Sequence, residues 1–221
     1  IGYPRFRAAC ARGVVAHASL TSPNPRGPVT TPPIPRLRAE RAERLRAARH
    51  RRAIGYWWVL IAWLLSLWIG TSVVPHDWLH APALFGHLAS VIVGLGAAVL
   101  LEMSGLLWML RRTSLDDMRR TEPPVTALAW LGIAGLLVTG AFLQPDLSQP
   151  LTGIKMIAVL VAAMNGVAMT RLTDELDRLP GAVRFSSLPA RLKLWCVWSA
   201  VVSQTAWWTA VLIGMLNTAS R

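Results

Sequence analysis

Three polar side chains that could do chemistry stand inside long apolar runs of this chain: Glu102, Asn165 and Gln204. An ionisable group in a hydrocarbon layer costs at least about 2.5 kcal/mol on insertion scales, so its presence asks for a reason. Glu102 lies nine residues before Arg111, Asn165 six before Arg171 and Gln204 eleven after Lys193. At a rise of about 1.5 Å per residue, all three fall in the same half of a bilayer. They are predicted to form one buried polar cluster, with Ser203 or Thr205 assisting. Two chemistries fit such a cluster. A carboxyl in a polar pocket can exchange protons and so serve a carrier; alternatively the groups bind helices together, at about 0.6 kcal/mol per hydrogen bond. Gly94 and Ala98, eight and four residues before Glu102, share its helical face, and small residues let a neighbouring helix approach. Glu102 is therefore expected to face protein. Lys155, at the head of another apolar run, is expected to reach back to the headgroups.

A second constellation lies in the segment PHDWLHAPALFGH, which carries His76, Asp77, His80 and His87. If 76–87 were one helix, the three imidazoles would fall within about 40° of one another at 100° per residue. Imidazoles at i,i+4 suit Cu or Zn, and Asp77 could add an oxygen ligand. Pro82 is expected to interrupt that helix, leaving a short interfacial turn before a new span. The alternative places these rings on the headgroup layer. A bis-histidine haem needs two rings facing each other from different spans, and only His87 lies within one, so haem is not expected. No Ser-His-Asp set, phosphate loop or paired carboxylates can be assembled, so the chain is expected not to be an enzyme. The DELD segment at 174–177 is taken as a solvated loop.

The elements that must position these groups follow from composition. Of 221 residues, 53% are hydrophobic and 15% charged, against about 25% charged in soluble domains, so the apolar excess must face lipid. Five runs satisfy the rule that about 20 apolar residues cross a bilayer core: 54–74, 83–110, 125–143, 151–170 and 194–216. The predicted fold is all-α, a bundle of five transmembrane helices in a multi-pass protein of the cell membrane. Orientation comes from the basic residues, because Lys and Arg resist translocation. Of the 23, 21 lie before the first run or in the second and fourth connections, while PHDWLHAP and QPDLSQP contain none. This predicts a cytoplasmic amino terminus and an outer tail at 217–221.

Ahead of the first run, the Pro-rich residues 1–35 are expected to be disordered. No Met precedes Met103, and Val14 or Val29 is expected as the natural start. Residues 36–53, RLRAERAERLRAARHRRA, read as a basic juxtamembrane helix. Its arginines, Arg41, Arg44, Arg49, Arg51 and Arg52 among them, would meet anionic lipids at about 1 kcal/mol per charge. Without aromatic platforms between the arginines, no nucleic-acid partner is expected.

The runs GHLASVIVGLGAAVLL and GLLVTGAFLQPDLSQPLTGIKMIAVLVAAMNGVAMTRL resemble the membrane domain of the CopD-type copper-handling family over about residues 87–170. They share a His-Leu opening one span, a Thr-Gly span end, a short loop and a Lys-bearing span closing on Asn and Arg. That resemblance implies copper passage or resistance, with His87 as the matching ligand. Three functions therefore stand as expectations: a non-enzymatic subunit or scaffold docking protein partners in a membrane assembly, a proton-coupled carrier centred on Glu102, and metal handling at the outer histidines.

Overall fold

The computed structural model describes residues 34–219, so the tail at 1–33 and the last two residues lie outside the description. The chain divides into two compact units between Glu43 and Arg44. In the first, the described residues are the opening turns of one helix; all packing below belongs to the second. Every regular element among the described residues is helical: α1 (Ile34–Ser72), α2 (Asp77–Met109), α3 (Leu115–Ala141), α4 (Pro150–Leu176), a short 3-10 turn at Phe185–Ser187, and α5 (Ala190–Ala219). Each long helix contains a stretch apolar enough to cross a membrane. The chain is an all-α, multi-pass membrane protein.

The helices are longer than the apolar runs predicted. The basic segment and the first run form one 39-residue helix, because Ala, Leu and Arg are strong helix formers and Gly55 alone does not break them. α1 stops three residues before Pro75, whose ring disfavours helical backbone in the residue ahead of it. α2 corrects the expectation of a break at Pro82, which lies inside the helix. The proline forfeits only the bond to the Trp78 carbonyl, at an exposed helix mouth. α2 closes where Arg111 takes a left-handed φ of 61° and the Arg112 N–H reaches Leu107 O at 2.8 Å. Ser114 and Asp117 then form a reciprocal capping box, which starts α3 ten residues before the apolar run. α4 absorbs three residues of DELD, correcting its reading as a loop.

α2 pairs with α3 and α4 with α5 as the two most extensive helix contacts. Small residues set the first pair. A Cβ added at Gly132 would strike the Gly94 backbone, and one at Gly135 would strike Ser90. Ala98, Ile133, Leu136, Ala163, Val167 and Trp207 fill the centre of the bundle. A second core, Trp108, Leu115, Leu172, Leu176 and Leu188, closes the arginine-bearing end. There Trp108 donates to Val183 O at 3.2 Å and meets Phe185 edge-on at 5.3 Å. Among the described residues of α1 only Val59 and Gly70 are buried.

Candidate functional site

Glu102, more than three quarters of the way along α2, faces protein as its position relative to Gly94 and Ala98 implies. The polar side chains beside its carboxyl are Ser203 and Gln204 of α5. Its Oε1 is enclosed and has no hydrogen-bond partner. Gln204 itself is held in place, because Trp208, one turn on, donates its indole N–H to Gln204 Oε1 at 2.8 Å. That bond occupies the Gln204 oxygen and leaves its amide N–H groups as donors.

Asn165 is drawn elsewhere. Its Nδ2 donates to Ser199 O at 3.0 Å, and the Ser199 hydroxyl donates back to Asn165 Oδ1 at 2.9 Å. Ser199 is 2% exposed, so this reciprocal pair is sealed between α4 and α5. Ser199 and Ser203 stand four residues apart on α5, which puts them on one face a turn apart. The predicted cluster is therefore two neighbouring contacts rather than one: Glu102 with Ser203 and Gln204, and Asn165 with Ser199. Ser199 was missed by sequence reading, although its four-residue spacing to Ser203 marks a polar stripe.

Toward the other end of the bundle, His87 of α2 meets α3. The Thr139 hydroxyl lies 2.6 Å from Gly135 O, and a carbonyl cannot donate, so the hydroxyl proton occupies that line. His87 Nδ1, 3.0 Å from the same hydroxyl oxygen, must then carry hydrogen, and a neutral ring keeps its lone pair on Nε2. His87, Gly140, Trp63, Ser66, Lys155 and Trp207 line a cavity of about 60 Å³ to which all five helices contribute. It has room for a few waters. Beside it Trp63 donates to Met156 O at 3.0 Å and Ser66 to Leu137 O at 2.6 Å, tying α1 to α4 and α3.

His76 caps α2 and His80 sits in its first turns, both exposed. His80 and His87 share a face of α2, with His76 just ahead of it in extended backbone, but seven residues at about 1.5 Å each separate His80 from His87 by about 10 Å. His87 is thus not brought to the other two. Among the described residues no three His, Cys, Asp or Glu gather closely enough to hold a metal ion.

Of the arginines singled out, Arg44, Arg49 and Arg51 are exposed and the Arg41 side chain lies outside the described residues. Arg52 is half-buried and pairs with Asp174 at 3.3 Å. Arg119 gathers Asp177 at 3.2 Å and Asp116 at 3.3 Å and donates to Leu179 O at 2.8 Å. Asp174 and Asp177 of DELD are thereby ion-pair partners that hold α1 and α3 to the end of α4. No family model, curated protein or solved structure matches the chain.

Proposed function

We propose that this multi-pass membrane protein is a non-enzymatic subunit or scaffold of a membrane assembly, with its arginine-bearing end in the cytoplasm. The observation that supports the reading most is how the intramembrane polar groups are used. Asn165 with Ser199, Ser66 with Leu137 O, Trp63 with Met156 O and His87 with Thr139 each join one helix to another. In the one set that puts a hydroxyl on an imidazole, the Thr139 proton goes to Gly135 O, so His87 does not activate it. The test is gentle extraction from native membranes with mass spectrometry of what co-purifies. A stoichiometric protein partner is expected, and a lone chain across several mild detergents would overturn the reading. Orientation is checked with single cysteines in a background lacking other thiols. A cysteine at Ser148 should label from outside intact cells and one at Ser186 should not; the reverse pattern inverts the assignment.

A proton-coupled carrier centred on Glu102 is the second reading, supported by the enclosed Oε1 that lacks a hydrogen-bond partner. In that case Glu102→Gln abolishes flux driven by a pH gradient and leaves the fold intact. Copper handling of the CopD-like kind finds support in one residue, His87, whose Nε2 lone pair is left for a ligand on a lined cavity. Elemental analysis of the purified protein decides it, since the reading requires bound Cu that His87→Gln releases.

A further inference from the structure

Between α1, α3 and α4 near the arginine-bearing end lies a groove of about 510 Å³, lined by Arg51, Arg52, Trp58, Trp130 and Asp174, with Ala48, Gly55, Val59, Val167 and Thr170 completing it; Gly55 packs on Val167 at its floor. That volume lies within the range of about 300–1,000 Å³ usual for ligand sites. Its lining is graded. Arg51 and Arg52 stand at one end of the α1 face, and Gly55 and Val59 follow one and two turns on. Across the groove, Asp174 and Thr170 give way to Val167 on α4. From Arg52 to Val59 is about 10 Å at the helical rise, so charge passes to hydrocarbon over the depth that separates a headgroup from its chains. Two arginines against one aspartate leave the groove one net positive charge.

We infer that this groove is a binding site for one anionic glycerophospholipid, its phosphate on Arg51 and Arg52 and an acyl chain against Trp58 and Trp130, over a floor closed by Gly55, Val59 and Val167. Three features select this occupant. The single net charge matches a phosphodiester, which a guanidinium meets with paired N–H donors. Arg52 is held by Asp174 at 3.3 Å, so one guanidinium is already oriented before the lipid arrives. The apolar end is formed by helices that each cross the hydrocarbon layer, where an acyl chain is the material at hand. The site differs from general attraction to a basic segment, because Arg44 and Arg49, although exposed on the same helix, do not line it.

Native mass spectrometry of the full chain tests this after mild extraction and incubation with mixed micelles of phosphatidylglycerol and phosphatidylcholine. One phosphatidylglycerol per chain should be retained as detergent is stripped, and phosphatidylcholine should not. Arg51→Gln with Arg52→Gln should lower retention about tenfold or more, as the loss of two lipid-facing charges implies. Arg44→Gln with Arg49→Gln, the same loss of charge, should change it less than about twofold. Thr170→Trp fills the groove while keeping both arginines in the chain and should also release the lipid, which keeps the test decisive if the arginine pair fails to fold. Millimolar inorganic phosphate should not displace it. Equal losses from both arginine pairs, equal retention of the two lipids, displacement by phosphate, or a Thr170→Trp protein that retains lipid would each overturn the assignment.

Discussion

α1 and the two helical hairpins solve the same packing problem by different means. α2 and α3 meet closely, with Gly94 against Gly132, where no Cβ separates the helices, and the Ser90 side chain against Gly135. α4 and α5 meet through a sealed side-chain pair, Asn165 and Ser199. α1 instead reaches its neighbours with long or peripheral groups: an indole to Met156 O, a hydroxyl to Leu137 O and a guanidinium to Asp174. Lipid offers no hydrophobic drive for helix association, so close van der Waals contact and hydrogen bonds must supply it. The hairpins have both, whereas α1 has mainly the second. This predicts a steep gradient in tolerance to substitution, rigid in the hairpins and permissive along α1.

The gradient can be broken at several points. Trp108→Ala should cost most, about 3–5 kcal/mol as for other buried Trp truncations, because the indole is 4% exposed and its N–H holds Val183 O; reversible unfolding in detergent measures it. Gly132→Ala puts a Cβ into the Gly94 backbone and should cost about 1–3 kcal/mol, the usual range for overpacking. If it unfolds at the wild-type midpoint, the helices are not in close contact. Ser199→Ala removes the reciprocal bond to Asn165 and should lower stability by about 0.6–1.7 kcal/mol, the range found for interhelical bonds in a membrane protein. Ser66→Ala on α1 should fall at or below the lower end of that range. A loss at Ser66 equal to that at Gly132 would erase the contrast.

Much of this was legible in the residues, and the failures are informative. The five apolar runs found the helices because length against bilayer thickness is a strong constraint, but the helix ends were set by chemistry that apolarity ignores. The box at Ser114 and Asp117 extended α3, and ion pairs extended α4. Most of DELD joins α4 although acidic groups oppose the dipole at a helix C-terminus; Arg52 and Arg119 supply the compensating charge from distant positions. The Gly94 and Ala98 stripe told correctly which way Glu102 faces. Depth matching grouped Asn165 with it, yet depth says nothing about rotation around a helix axis, and Asn165 turned to Ser199. The histidines show the complementary error, in which angle was used without rise. The apolar residues of the α4–α5 connection, Val183, Phe185 and Leu188, have no period to announce them, so the second core was invisible until folded.

The central claim is that intramembrane polar groups here join helices rather than line a path, and Glu102 tests it most directly. The wild-type protein and Glu102→Gln are reconstituted into liposomes with an imposed pH gradient, and proton flux is followed with an entrapped pH dye. The structural account predicts that both proteins leak no faster than empty vesicles. Flux through the wild-type protein that vanishes in a well-folded Glu102→Gln variant would contradict it and establish the carrier.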